Sequence, residues 1–262
     1  MRVLVGVLIA GNVPQLDPAQ VGRPPRVSPQ AIDAFLEILA SGPRDGTCVF
    51  NPWADWDDRD ATPRRSMPGA RRDNMAAYIG ARAKSARYLL LGEAPSHRGC
   101  RFSGIAFCSE TEILHKPRLV APTPLAVTSA GAPEKPQRER SAAVIWSEIE
   151  RARAAFEVVL WNAFPWHPYR PAGEPGEEMS GPCGPTSNRK PRLTEVSDGR
   201  AALGALLACF ARPLEIVAVG KVAEEALTRW SEFRCAGYIR HPAQGGEAQF
   251  RSGFRNLVAS RL

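Results

Sequence analysis

The chain has 262 residues, of which 44% are hydrophobic and 23% are charged, and its formal net charge is +7. These ordinary proportions exclude a disordered or fibrous chain, and the length suffices for one α/β domain with a substantial core. Nothing requires a second domain, so a single domain over 1–262 is predicted. The pI, near 9.4, fits a polyanionic partner such as nucleic acid, but genomic base composition explains the excess of Arg over Lys equally well.

The chain opens on a short apolar run behind a single Arg, from Met1 to Ala10. This run is too short to span a membrane and only marginal as a signal peptide. We therefore expect 1–27 to be an N-terminal extension, either ordered, frayed or preceding the natural start. No later stretch is apolar for long enough to cross a bilayer, so no membrane partner is expected.

The cysteines do not form any Cys-x-x-Cys pair. Metal and cluster sites generally need such close ligand spacing, so we expect neither a metal nor another cofactor. Free thiols indicate a reduced, cytoplasmic chain. The cysteines are Cys48, Cys100, Cys108, Cys183, Cys209 and Cys235.

The first helix is predicted to begin after Ser28, which can serve as its N-cap. Ile32, Phe35 and Leu39 share one face of this helix, and Gly42-Pro43 ends it. Further helical patterns cover 73–85, 141–155, 200–210 and 221–230, and long loops are predicted over 116–140 and 169–195.

Four apolar runs are predicted as β-strands that end near Gly92, Asn162, Gly220 and His241. Helical patterns separate them, and this alternation predicts a three-layer α/β/α sandwich around a four-stranded, mainly parallel sheet. In open parallel sheets, ligands bind beyond the carboxyl ends of the strands. Glu93, Asn162 and His241 each follow a strand, so we expect them to converge at one site.

Each of these residues also has an ordinary structural explanation. Gly92-Glu93 could be a charged surface turn, Asn162 a helix N-cap, and His241 a hydrogen-bonded surface histidine. Phe107 could be a core aromatic. The coincidence of three polar residues at three strand ends favours a shared functional site over these separate readings.

Three segments, Gly92-Glu93-Ala94-Pro95-Ser96, Asn162-Ala163-Phe164-Pro165 and His241-Pro242, together resemble the motifs of the uracil-DNA glycosylase superfamily. The resemblance covers 88–254, and the three motifs jointly are far more specific than any one of them. The Gly-Glu-Ala-Pro segment is similar to the thermophilic iron-sulfur branch. No paired cysteine precedes Glu93, so the cluster of that branch is not expected here.

The resemblance implies hydrolysis of the N-glycosidic bond of uracil in DNA. Glu93 would support positive charge on the sugar and orient water, and His241 would donate a hydrogen bond to uracil O2. Asn162 would read the base and Phe107 would stack on it after it flips out. Gly92, Ala94 and Ser96 would line the pocket that holds the substrate.

The chain departs from the best-known superfamily members at several positions. Ala94 stands where those proteins have an Asp, so the carboxylate must come from Glu93 or elsewhere. Ser96 stands where they have a Tyr that blocks the thymine methyl group, which leaves His97, Arg98 or another wall to exclude thymine.

The wedge Leu that follows the His-Pro motif in those members is also absent. Gln244 and Gly245 stand in its region, and Gln244 or Arg251 is a candidate to fill the space left by the flipped base. Arg189 and Lys190 belong to a basic loop that suits phosphate contact, although a solvated loop explains the same residues equally well.

Two other classes remain open from the sequence. One is an α/β enzyme that cleaves free nucleosides or nucleotides, and the other is a module that binds uracil or damaged DNA without cutting it. The reading we favour is a monomeric glycosylase that acts on uracil-containing DNA.

Overall fold

A computed structural model of the protein describes residues 29–43, 48–171 and 184–259. The expected extension over 1–27 and the Ser28 cap lie outside these ranges. The strands are β1 (Val49–Phe50), β2 (Tyr88–Gly92), β3 (Val158–Asn162), β4 (His167–Pro168), β5 (Glu215–Val219) and β6 (Cys235–Ile239). The helices are α1 (Pro29–Ala40), α2 (Met67–Arg82), α3 (Cys100–Ser103), α4 (Glu110–His115), α5 (Pro117–Val120), α6 (Arg140–Arg151), α7 (Leu193–Leu207), α8 (Lys221–Arg229) and α9 (Glu247–Ala259), with a 3₁₀ turn at Arg64–Ser66.

The central sheet has four parallel strands in the order β3-β2-β5-β6. Strands β2 and β3 are buried along their whole length, as continuous apolar runs in a parallel sheet require. A separate two-stranded antiparallel sheet joins β1 to β4. The predicted α/β/α sandwich with a four-stranded sheet is confirmed, and every strand of that sheet ends within two residues of its expected position.

The order of the strands explains why helices cover both faces of the sheet. The chain moves from β2 to β3 through α6 and returns from β3 to β5 through α7. Because such crossovers are right-handed, α6 and α7 lie on opposite faces. Helix α1 packs against α2 and α7, whereas α9 packs against α6 and β6.

Several helix boundaries differ from those expected from the sequence. Helix α2 begins at Met67 rather than near residue 73. Pro68 fits its first turn because backbone N–H groups there have no partner within the helix, so the missing N–H of proline costs nothing. Helix α6 ends at Arg151, and Arg153 has a left-handed φ of 52° that cannot continue it. Helix α7 begins at Leu193 rather than near residue 200. Helices α3, α4, α5 and α9 and the β1–β4 pair had no counterpart in the sequence prediction, and α5 lies inside the stretch predicted as a long loop over 116–140.

The long loop over 116–140 is fixed to the body of the protein by the buried carboxylate of Glu110. Its oxygens accept hydrogen bonds from the backbone N–H groups of Thr128 (2.7 Å), Ser129 (2.7 Å) and Gln137 (2.9 Å), and from the Ser129 hydroxyl. Hydrogen bonds to a charged acceptor are stronger than neutral ones. A single residue of α4 therefore holds the middle and the carboxyl-terminal part of a segment that the sequence shows only as a proline-rich loop.

Helix α2 covers the open edge of β3. The Leu160 N–H donates to the Tyr78 hydroxyl oxygen at 2.8 Å, and Arg82 Nε donates to the Val158 carbonyl at 3.0 Å. Both side chains are buried. These bonds satisfy edge groups of the strand that ends in Asn162, so they hold that end of the sheet in place.

We predict that Glu110→Gln lowers the free energy of unfolding by about 1 to 3 kcal/mol, because its amide NH2 would face buried donors and leave at least one unsatisfied. Denaturant unfolding at neutral pH measures this loss. Glu134→Gln is the matched control, since Glu134 is an exposed residue of the same loop and should change stability by no more than about 0.5 kcal/mol. Equal stabilities for the two variants would contradict the anchoring role of Glu110.

Candidate active site

The site is built on the register between β2 and β3, in which Gly92 pairs directly with Asn162. The pairing continues past the strand ends. Ala163 N donates to the Gly92 carbonyl at 2.8 Å and Phe164 N donates to the Glu93 carbonyl at 3.0 Å. The backbones that carry Glu93 and Asn162 are therefore fixed next to each other at the carboxyl edge of the sheet.

Gly92 leaves space that the Phe107 ring occupies. A Cβ at Gly92 would lie 2.1 Å from Phe107 Cζ and 2.8 Å from Asn162 Oδ1, so no larger residue fits without moving them. Phe107 has a left-handed φ of 50°, and its carbonyl accepts a hydrogen bond from Trp146 Nε1 at 2.8 Å. The ring is thus held beside the Asn162 amide.

The Asn162 side chain is 2% exposed, and its Oδ1 has no hydrogen-bond partner within the described residues. Leaving a buried acceptor unsatisfied costs about 1 to 3 kcal/mol. Other buried atoms of the described residues, such as Trp161 Nε1, also lack a partner, but the amide oxygen lies beside Gly92 and Phe107 at the strand end and is therefore a candidate for contact with a ligand. The structure therefore puts an unpaired amide oxygen where the sequence predicts a base-reading residue.

His241 joins this group from the end of β6. Its ring lies 5.8 Å from the Phe107 ring, measured between centroids, at an angle of 41°. A Cβ at Gly220, which has a φ of 90°, would lie 3.1 Å from His241 Cβ, so this glycine also allows close approach. Gly92, Asn162 and His241 thus lie at the carboxyl edge of the sheet, with the Phe107 ring between them.

The neutral form of His241 is favoured. Burial, with a further contribution from the positive charge of Arg240, lowers the His241 pKa to about 4. The backbone N–H of Ala243 donates to Nδ1 at 3.1 Å. Because Nδ1 acts as an acceptor, the proton of the neutral ring lies on Nε2, which is then a hydrogen-bond donor.

Glu93 is partly buried at the end of β2. Burial raises the pKa of its carboxyl group, the positive charge of Lys190 opposes that rise, and the charge of Glu225 adds to it. Lys190 is therefore close enough to stabilise the ionised form of Glu93. This gives the lysine an electrostatic role at the site in addition to the phosphate contact expected from the sequence.

A contact between distant segments brings the Lys190 loop to the site. Asn188 Oδ1 accepts a hydrogen bond from the His97 N–H at 2.9 Å and lies 3.2 Å from His167 Nε2. Asn188 therefore clamps the loop onto the segment that follows Glu93. The sequence shows Asn188 only as a small polar residue in a basic loop, and it carries no signal for this role.

Glu139 is a second carboxyl group next to the segment after Glu93. It forms a hydrogen bond with the Ser96 side chain, and its Oε2 would lie 1.6 Å from a Cβ at Gly99. Burial, partly offset by the Ser96 hydrogen bond and reinforced by Glu112, raises the Glu139 pKa to about 7. Its position in a run of charged residues suggests a solvated side chain, so sequence reasoning missed it.

Arg189 differs from the expectation of phosphate contact. Its guanidinium donates to both Glu195 oxygens, at 2.6 and 2.7 Å, and to the carbonyls of Tyr169, Lys190 and Cys48. Every N–H donor of the group is used by these bonds. Arg189 therefore ties its loop to the start of α7, and we do not assign it to phosphate.

The other residues expected to contact DNA have separate positions. Arg251 is ion-paired with Glu247 (2.8 Å) and Glu148 (2.7 Å), so it joins α9 to α6 rather than standing free as a wedge. Gln244 and Gly245 are exposed in the turn after His241. Ala94 packs against the core.

Within the described ranges, no group of three or more His, Cys, Asp or Glu side chains is arranged to hold a metal ion. None of the helices in those ranges combines the length and the apolar character that crossing a bilayer requires.

We predict that the His241 ring stays neutral, with its proton on Nε2, at all pH values above about 5, because its pKa lies near 4. Ring ¹⁵N chemical shifts measured over a pH titration report both the charge and the tautomer. Arg240→Gln should move the titration to higher pH, because it removes the nearby positive charge. Imidazolium signals that persist to pH 6 would contradict the burial of this ring.

No protein-family model matches the sequence, and no curated protein matches it significantly. The fold is similar to the crystal structure of SMUG2 from Pedobacter heparinus, with a TM-score of 0.57 and 13% sequence identity. The match covers 88% of this chain and 96% of the SMUG2 chain. The likeness shows that the protein shares the α/β fold of that structure.

Proposed function

We propose that this protein is a DNA glycosylase that accepts uracil flipped out of DNA and hydrolyses its N-glycosidic bond, leaving an abasic site. The observation that carries the proposal is the buried, unpartnered Oδ1 of Asn162, held between the Phe107 ring and the paired strand end at Gly92. The SMUG2-like fold and the three sequence motifs support the same function.

The Asn162 amide matches the edge of uracil. Uracil presents an N3–H donor beside the O4 acceptor, and Asn offers an oxygen acceptor beside an NH2 donor. The N3–H would satisfy the unpartnered Oδ1. Cytosine presents an unprotonated N3 beside an amino group, so its pattern is reversed and the same amide would meet it with like groups. An amide in this orientation therefore selects uracil over cytosine.

His241 is suited to stabilise the leaving uracil. Cleavage of the glycosidic bond places negative charge on the base, including at O2. A neutral imidazole with its proton on Nε2 can donate a hydrogen bond to that oxygen without first losing a proton. A preorganised donor aimed at a developing anion typically contributes a factor of about 100 to 1000 in rate.

Glu93 is suited to stabilise the positive charge that develops on the sugar. The sugar acquires oxocarbenium character as the bond breaks, and a carboxylate near it stabilises that charge and orients the attacking water. Lys190 helps to keep the carboxylate ionised despite its burial. Glu93 follows Gly92 directly in the first motif, so it replaces the Asp that is absent at Ala94.

The base must leave the helix to reach this site, because the glycosidic bond is inaccessible in the stack. Phe107 supplies the aromatic ring on which the flipped base would stack, a contact worth about 1 to 3 kcal/mol. The ring is only 5% exposed. The ring is therefore already held in place by the protein before a base would stack on it.

We predict that the purified protein releases uracil from a uracil-containing oligonucleotide without added metal or nucleotide, and that Asn162→Asp weakens this release. An ionised carboxylate has no donor for O4 and repels it. Alkaline cleavage at abasic sites, followed on a denaturing gel, measures the reaction. Release of uracil only from free deoxyuridine would indicate a nucleoside hydrolase, and DNA binding without release would indicate a recognition module.

We predict that Glu93→Gln and His241→Ala each lower the single-turnover excision rate by about 100-fold or more, with little change in affinity for uracil-containing DNA. Both side chains would act mainly in the transition state. Glu225→Gln is the matched control, because Glu225 is an exposed carboxylate near Glu93, and its rate should stay close to that of the wild type. A Glu93→Gln protein with an undiminished rate would remove Glu93 from the mechanism.

The pH dependence follows from the same assignments. Excision that needs ionised Glu93 should fall as the pH is lowered through a pKa above the ordinary glutamate value. Neutral His241 is lost only near pH 4, so Glu93 should set the acidic limb of the rate profile.

A further inference from the structure

A groove with a volume of about 570 Å³ begins at the residue after His241. One wall is the segment that leads into α6, and the other is the turn between β6 and α9. The groove is separate from the cluster of Gly92, Phe107 and Asn162, although it adjoins the histidine of that cluster. Its polar lining includes Arg138, Arg140, Ser141 and Ser147 on one side, and Gln244 and Arg251 on the other.

Two arginines in the first wall carry uncompensated positive charge. Arg138 and Arg140 are exposed, and neither forms a hydrogen bond or an ion pair with any described residue. Glu139 stands between them in the chain, but its carboxyl group turns inward to Ser96 and does not neutralise either one. Because Glu139 turns inward, the side chains on either side of it, Arg138 and Arg140, both face the groove.

The other charged residues that line the groove, Arg251 and Glu247, are already engaged in ion pairs. Arg251 is ion-paired with Glu247 and Glu148, and Glu148 also pairs with Arg255 and Arg151. Among the described residues that line the groove, the guanidinium groups without an ion-pair partner are therefore those of Arg138 and Arg140. An anionic ligand would therefore be attracted electrostatically to the α6 side of the groove.

The opposite wall is a tight turn fixed to the histidine. Gln244 and Gly245 have left-handed φ values of 52° and 75°. Gly246 N donates to the Ala243 carbonyl at 3.1 Å, and a Cβ at Gly246 would lie 2.0 Å from the His241 carbonyl oxygen. Gly246 therefore lets the turn fold back on His241, so the wall that this turn forms is fixed relative to the histidine.

We propose that this groove binds the sugar-phosphate backbone of the DNA strand that carries the flipped nucleotide, with Arg138 and Arg140 on its phosphates. The inference rests on the proposed function. A flipped nucleotide remains covalently joined to its neighbours, so the phosphates nearest His241 belong to the same strand. Guanidinium and hydroxyl groups are the side-chain donors that proteins commonly use on phosphate oxygens.

The test compares two double variants that remove the same charge. Arg138→Ala/Arg140→Ala changes the groove, and Arg229→Ala/Arg234→Ala is the control, because these exposed arginines lie near the opposite, amino-terminal end of β6. Affinity is measured against salt concentration on single-stranded and duplex oligonucleotides, each with and without uracil. Single-turnover excision is measured at saturating DNA.

We expect the groove variant to bind all four DNAs more weakly and to flatten the plot of log affinity against log salt. Two lost phosphate contacts should reduce the slope by roughly 1.4 on single strands and 1.8 on duplex. The control should match the wild type, and saturating DNA should restore the excision rate of the groove variant. If the wild-type protein binds DNA through both arginines but releases no uracil, the groove proposal is supported and the proposed glycosylase function is refuted.

Equal slopes for the two double variants would overturn the proposal. An effect seen on duplex but not on single strands would also overturn it, because the arginines would then contact the opposite strand. A loss of excision that saturating DNA does not restore would place the arginines in the reaction rather than in backbone binding.

Discussion

The candidate site depends on one pairing in the sheet, in which Gly92 on β2 lies opposite Asn162 on β3. The register fixes the amide beside a residue without a side chain, and the Phe107 ring fills the space that results. A shift of one residue would turn Asn162 to the other face of the sheet. Tyr78 and Arg82 bind the free edge of β3 and so protect this register from outside the sheet.

The hydrogen bonding of Asn162 differs from that of Glu110 and Arg189. Glu110 accepts four hydrogen bonds from one loop, and the guanidinium of Arg189 uses every donor within the protein. Both of these groups have a structural task, whereas a few other buried atoms of the described residues, such as Arg101 Nε and Trp161 Nε1, also lack partners. An unsatisfied oxygen at the end of a central strand is consistent with a group reserved for a ligand.

Burial has opposite uses at His241 and Glu93, although it disfavours charge on both. At His241 it lowers the pKa and keeps a neutral donor that suits a developing anion. At Glu93 it raises the pKa, and Lys190 offsets part of that effect. The Asn188 clamp that holds the Lys190 loop against His97 thus contributes to the charge of Glu93 from a distance. The proposed groove extends the same site toward the neighbouring phosphates.

The sequence alone determined the sandwich and the ends of its four main strands, because apolar runs bounded by polar turns specify parallel strands, and it predicted that Glu93, Asn162 and His241 follow these strands. Helix boundaries were less certain, since residues such as Pro68 and Glu195 act through local capping. Only the tertiary structure decided which polar groups find partners. Arg189 is bonded to Cys48, 141 residues away, and His97 to Asn188, 91 residues away. Glu139 turns inward while Arg138 and Arg140 stay free, and such choices depend on contacts between segments that lie far apart in the chain.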